Sequence, residues 1–333
     1  MINSVRWSLK VGLPLAFGIY LTWYFFNQMS EEAMNSFYKA LRKADYTFVV
    51  LSLLLGIISY WSRAERWKYT LEPMGFKSNA WNRYHSLMIG YIVNLTVPRA
   101  GEASRALMLQ RSDNIPFTKS FGTIITERIV DIILLALITS ITYVLAYNDF
   151  WKLYEAMLAE FFWKKSESYS GLWLTIIFGV VLLGIGIFLL VKSLRIRLFS
   201  FAKSLIEGLL SIFRIKNPWC YFGHSMLIWG CYVVMFILPY FAFEETKNIP
   251  LVGIMLAFIA GSLGISFTNG GIGMYPLLVG FVTSYYLGNE NPDKSLAVAN
   301  ALGMLIWGSQ AILMLVMGLI SLYCLPKNYT AHE

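Results

Sequence analysis

Apolar runs long enough to cross a bilayer recur along almost the whole chain, and they leave few folds open. They lie at residues 11–26, 46–62, 121–147, 171–191, 219–243 and 296–323, and each is continuous rather than alternating in polarity. About 20 helical residues cross a hydrocarbon core ~30 Å thick. Continuous runs of this length read as spanning helices, not as the strands of a barrel. Composition agrees: 57% of the residues are hydrophobic, only 14% are charged, and the mean hydropathy is +0.57, where soluble domains carry about 25% charged residues. The first run is short for a span. It follows Arg6 and Lys10 and ends Phe25-Phe26-Asn27-Gln28, with no small-residue cleavage site, so it is expected to be an uncleaved first helix. The sequence therefore predicts one all-α polytopic transmembrane domain over 1–333, with approximate halves 1–150 and 171–325.

The net charge of +8 fits the Lys/Arg bias of cytoplasmic loops and their contact with anionic lipid. A nucleic-acid partner is not expected, because no basic domain with interleaved aromatics is present. Cys220, Cys231 and Cys324 are scattered through apolar segments, and His85, His224 and His332 share no metal-ligand spacing. Neither a disulfide framework nor a metal site is expected, and no cofactor motif appears.

Two further apolar segments are interrupted. His85–Pro98 runs into Asn94-Leu95-Thr96-Val97-Pro98-Arg99-Ala100-Gly101, and Leu251–Leu287 is broken by Thr268-Asn269-Gly270-Gly271-Ile272-Gly273. Irregular backbone at membrane depth must be covered by protein or line a wet cavity. If both segments are re-entrant hairpins, six spans put both termini on one side. That side then carries 18 Lys and Arg residues against 8 on the other, with Arg128 inside a span, so both termini are expected in the cytoplasm. The hairpins then enter from opposite faces, an inverted pseudo-repeat in which Thr96 corresponds to Thr268 and Gly101 to Gly273. Interrupted segments at corresponding points of two halves point to a transporter's binding site. Residues 30–44 and 195–214 read as amphipathic interfacial helices, the second with a basic face suited to anionic headgroups.

The candidate chemistry sits at these breaks. Arg99, Glu102 and Arg105 follow the first; arginine's planar fork suits phosphate, although Glu102 and Arg105 at i,i+3 also suit a structural pair. Glu127, Arg128 and Asp131 lie inside an apolar span, where each ionisable group costs about 2.5–3.5 kcal/mol unless paired or hydrated. They are read either as a structural ion pair or as a headgroup- or proton-coupled site. The Thr268–Gly273 turn can expose backbone amides as an anion nest, or can serve close packing. Convergence of the three sets around one polar cavity near mid-membrane, open sideways to lipid, is expected. Arg99 and Arg105 would hold a phosphate, the glycine turn would add N–H donors, and Glu127 would orient an arginine.

Asn94, Pro98, Arg99, Gly101, Glu102 and Arg105, followed by Glu127, Arg128 and Asp131, resemble the first signature of the lysylphosphatidylglycerol synthase transmembrane-domain family, the flippase-like integral membrane proteins. Gly270-Gly271-Ile272-Gly273 resembles the second signature. Two positions depart from the family pattern: Asn269 stands where proline often precedes the glycine pair, and Pro276 where an acidic residue is often found. No mechanism needing that carboxylate is implied. The chain ends at Glu333 without a soluble aminoacyl-transferase domain, so the resemblance implies the translocating part alone. The expected function is a translocase for a glycerophospholipid, an aminoacylated phospholipid or a polyprenyl-phosphate carrier, in a bacterial inner membrane. The substrate-binding set is Asn94, Arg99, Glu102, Arg105, Glu127, Arg128, Asp131, Thr268, Asn269, Gly270, Gly271 and Gly273. The alternative is a membrane glycosyltransferase or accessory enzyme using a lipid-linked donor. A non-catalytic scaffold gains little from buried charge, and homo-oligomerisation stays open.

Overall fold

The computed structural model describes residues 29–97, 100–158, 215–288 and 291–326, with scattered positions between 16 and 27. The expected span at 171–191, most of that at 11–26, and the basic helix at 195–214 lie outside the described residues. The described helices are α1 (Glu31–Lys43), α2 (Tyr46–Leu71), α3 (Ala80–Thr96), α4 (Gly101–Asp113), α5 (Phe117–Leu145), α6 (Tyr147–Leu158), α7 (Pro218–Ile237), α8 (Leu251–Phe267), α9 (Met274–Leu287) and α10 (Pro292–Cys324). Among the described residues, four segments are long and apolar enough to cross a membrane: Tyr46–Met74, Phe117–Leu145, Pro218–Phe241 and Pro292–Cys324. They carry large apolar side chains outward, among them Leu137, Val144, Leu315 and Tyr323. In water such a surface would drive association; hydrocarbon solvates it. The chain is an all-α integral membrane protein.

Local chemistry fixes the ends of these helices. The side chains of Asp45 and Asn79 accept from the backbone N–H of Thr47 and Trp81 at the starts of α2 and α3. Pro218 and Pro292 stand in the first turns of α7 and α10, where a missing N–H costs no helical bond. The α2 helix runs nine residues beyond the apolar stretch that ends at Ser62, reaching Leu71. That extension carries Arg63 and Arg66 on the same helix as the span.

Packing sets the architecture. Ser52 Oγ donates to the Met235 carbonyl at 2.8 Å and Ser62 Oγ lies 2.9 Å from His224 Nδ1, so α2 and α7 lie antiparallel. The α3–α4 and α8–α9 pairs are tight helical hairpins. The first opens beside the C-terminal end of α2, where Asn79 N and Asn82 Nδ2 donate to Asp113. The second opens beside the N-terminal end of α2, in the turn where the Ala242 carbonyl accepts from Asp45 N at 2.8 Å. The two hairpins therefore enter from opposite ends, and their tips meet. A Cβ placed on Gly270 would lie 2.9 Å from Leu95 Cδ2. Trp307, half-way along α10, donates to the Gly270 carbonyl at 2.7 Å.

The α1 segment is amphipathic as expected, with Ala33, Phe37 and Ala40 buried on one face. That face joins the main apolar core, which also holds Ala297 and Val298 at the start of α10.

Candidate functional site

A chain of ion pairs ties α2, α4 and α5 together. Arg105 on α4 donates to both carboxylate oxygens of Glu127, at 2.9 and 3.1 Å. Its guanidinium carbon lies 3.6 Å from the centre of the Trp67 ring, a cation–π contact. Asp131, one helical turn on from Glu127, accepts from Arg63 at 2.8 Å and from Arg66 at 2.9 Å. Arg66 Nη2 also lies 3.8 Å from Glu127, which links the two carboxylates. Arg128 pairs with Glu102 at 3.2 Å and with Asp131 at 3.8 Å. Arg63, Arg66, Arg105, Glu127 and Asp131 are all buried. Charges so deep persist only when each meets a partner, because an unpaired one loses its hydration without compensation.

Beside this chain lies a cavity of about 450 Å³, enclosed by α2, α3, α5, α7, α8, α9, α10 and the tip of the second hairpin. Arg63, Arg128 and Asp131 form its charged wall; Ile132, Leu135, Phe258, Ile306 and Met314 are among its apolar lining. Leu95 from the first tip and Gly270 from the second both face it. Tyr91 OH, Trp229 Nε1 and Arg63 Nε in its wall are buried donors without a hydrogen-bond partner. A pocket of this size, mostly apolar with a few convergent polar groups, has the form of a small-molecule or lipid site.

The expected residues fall into groups. Arg128, Asp131 and Gly270 line the cavity, and Glu102, Arg105 and Glu127 join it through ion pairs. Arg99 lies outside the described residues, as does the side chain of Asn269. The guanidinium of Arg105 is engaged on both prongs by Glu127 and on its face by Trp67, not turned to the cavity. Asn94 Oδ1 accepts from Gly101 N at 2.7 Å and so ties the first hairpin across its break. In the glycine turn Gly271 N donates to the Thr268 carbonyl, and just beyond it Met274 N donates to that of Ile272. Gly270 lines the cavity, and its carbonyl accepts from Trp307. Gly270, Gly271 and Gly273 all have positive φ, which a side chain would resist. Gly273 precedes α9, and the Thr268 hydroxyl is buried without a hydrogen-bond partner.

Arg63, Arg66, Tyr91, Trp229 and Trp307 were not singled out from the sequence as site residues. A signal for the arginines existed. Ser59, Ser62, Arg63, Arg66 and Thr70 recur at helical spacing, a polar stripe continuing directly from an apolar span.

The family described as Lysylphosphatidylglycerol synthase TM region matches residues 11–299. The chain belongs to that family. Among its relatives, a UPF0104 membrane protein of Methanocaldococcus jannaschii is 27% identical over 106 residues, 31% of this chain and 32% of that protein. A UPF0104 membrane protein of Methanothermobacter thermautotrophicus is 30% identical over 115 residues, 33% of this chain and 34% of its own. Glycosyltransferase AglD of Haloferax volcanii is 29% identical over 97 residues, 29% of this chain but 16% of that protein. The chain thus spans about a third or less of the length of each. No solved structure matches the chain. These relatives are archaeal, so the family places the chain in a membrane without tying it to a bacterial one.

Proposed function

We propose that the protein is a lipid translocase that carries a phosphate-bearing headgroup between leaflets through the cavity where the hairpin tips meet. One observation carries this reading: an apolar chamber of about 450 Å³ with Arg63, Arg128 and Asp131 on one wall, placed beside mid-helix Trp307. A headgroup would sit against the arginines while its acyl chains stay in lipid. Arg128 and Arg63 take the phosphate-binding role expected of Arg105, which Glu127 occupies.

The hairpins are read as re-entrant. The longer helices of each, α3 and α8, have 17 residues, a reach of about 25 Å against a core of ~30 Å. Their meeting from opposite ends matches the inverted-repeat plan of transporters, in which the site lies at the junction of broken helices. Both termini are assigned to the cytoplasm on the Lys/Arg bias. The test is reconstitution: the full chain in liposomes should move a labelled phosphatidylglycerol or polyprenyl phosphate between leaflets without any sugar donor. No movement above protein-free liposomes would remove the reading.

A second reading is favoured by the similarity to Glycosyltransferase AglD: a part in glycosyl transfer from a lipid-linked donor. Donor-dependent transfer in the same liposomes, without lipid movement, would put it first.

A further inference from the structure

The donors and acceptors of the cavity wall are not balanced, and the imbalance bears on which headgroup fits. Every carboxylate near the cavity is already engaged. Asp131 accepts from Arg63 and Arg66, Glu127 from Arg105, and Glu102 pairs with Arg128. The other acceptors in the wall are neutral: the Gly270 carbonyl, which accepts from Trp307, Gln310 Oε1, which accepts from Tyr60 OH at 3.5 Å, and the hydroxyl oxygens of Tyr91 and Ser262. Unused donors remain, namely Tyr91 OH, Trp229 Nε1 and Arg63 Nε. Arg128 has the most accessible guanidinium of the described cluster, its side chain 37% exposed and held only by two ion pairs longer than 3 Å. Four arginines face three carboxylates in this network, so the wall is net positive.

On the lipid-site reading, we infer that the cavity selects an anionic headgroup that carries phosphate and no ammonium, and rejects the lysylated lipid for which the family is named. Phosphate offers only acceptors and a negative charge, which meets unused donors and a cationic wall. A lysyl headgroup adds two ammonium groups that need acceptors. No carboxylate of the described wall is free to pair with them; neutral hydroxyl oxygens such as those of Tyr91 and Ser262 give no countercharge, and leaving a buried charge without one is costly. The Tyr232 ring is taken as well, with the Arg63 guanidinium carbon 5.7 Å from its centre. Arg128 is then the primary phosphate contact, and the phosphate would displace Glu102 from it.

Trp229 and Trp307 line the cavity, so tryptophan fluorescence of the detergent-purified full chain reports on binding. Four probes separate the possibilities: short-chain phosphatidylglycerol, its lysyl ester, the matching diacylglycerol, and glycerol 3-phosphate. Phosphatidylglycerol should bind at least tenfold more tightly than the lysyl ester or diacylglycerol. Arg128→Ala should bring it down to the diacylglycerol level. Ser262→Asp, which puts an unpaired carboxylate in the wall, should raise affinity for the lysyl ester; it tests the inference even if the arginine variant fails to fold. Glycerol 3-phosphate binding as tightly as the lipid would support the anion site and move its ligand from bilayer to solvent. Equal or tighter binding of the lysyl ester, or of diacylglycerol, would overturn the inference. Selective binding without movement in liposomes would leave the inference standing and remove the translocase reading. Faster movement of the lysyl ester than of phosphatidylglycerol would do the reverse.

Discussion

Glu127 and Arg105 meet through two hydrogen bonds with side chains 2% and 3% exposed, and this sets what a substitution there does. Breaking a buried pair by removing one partner costs about 3–5 kcal/mol, whereas replacing both with apolar groups of similar size is often neutral. Glu127→Gln should therefore lower the thermal unfolding midpoint of the purified protein, because Arg105 then lies buried with its charge unmatched. Arg105→Met combined with Glu127→Leu should recover most of the loss. If the double variant unfolds as early as the single one, the pair is not the structural clamp its geometry implies. Residue types told part of this in advance. Three ionisable groups inside an apolar helix had to find partners, and the sequence marked Glu127, Arg128 and Asp131 on that ground alone. Their main partners were not legible. Arg63 and Arg66 lie more than sixty residues away from Asp131 and served the sequence reading only as cytoplasmic positive charge, because charge counting does not distinguish an arginine that faces water from one that faces a carboxylate on another helix.

At the scale of the element, the first hairpin depends on a contact between two backbones. A Cβ on Gly101 would lie 2.2 Å from the Gly90 carbonyl oxygen, and one on Gly90 would lie 2.8 Å from that of Gly101. Neither neighbour is a side chain that can swing aside. Gly101→Ala should force α3 and α4 apart and detach the Asn94 bond that spans the break, so folded yield and midpoint should both fall. Gly122→Ala on α5, with nothing within 4 Å of the added atom, is the control. It should be neutral or stabilising by up to about 1 kcal/mol, since alanine favours helix over glycine. Equal damage from the two would mean that close approach is not what Gly101 provides. The sequence placed both breaks correctly, because proline and clustered glycine interrupt an apolar run in a way that helix cannot ignore. Among the described residues, the second break bends through left-handed glycines, whereas Gly101 serves close approach. The use of Gly101 for close approach depends on Gly90, eleven residues earlier, and no local pattern joins the two. The sequence likewise could not anticipate Trp307, which arrives from α10 and donates to the Gly270 carbonyl of the second break.

For the whole molecule, the decisive relation is that two hairpins enter from opposite ends and touch. The relation makes a strict demand on accessibility. If the first hairpin is re-entrant, Lys77 before α3 and Asn114 after α4 lie on one side of the membrane. If the second is re-entrant, Glu244 before α8 and Lys294 in the first turn of α10 lie together on the other. All four positions are exposed, so each can take a cysteine in a background lacking Cys220, Cys231 and Cys324. A maleimide that does not cross membranes, applied to intact cells, should label Glu244→Cys and Lys294→Cys, while Lys77→Cys and Asn114→Cys should react only after permeabilisation. The Lys/Arg bias predicts which pair is external; re-entrant hairpins predict that the positions pair as they do. Reversal of the two pairs would overturn the cytoplasmic assignment of the termini and leave the hairpins intact. Separation of Lys77 from Asn114, or of Glu244 from Lys294, would mean that a hairpin crosses the bilayer. A crossing hairpin would carry its tip away from Trp307 and from the arginine wall, and a cavity in which both tips meet would no longer exist to carry a headgroup.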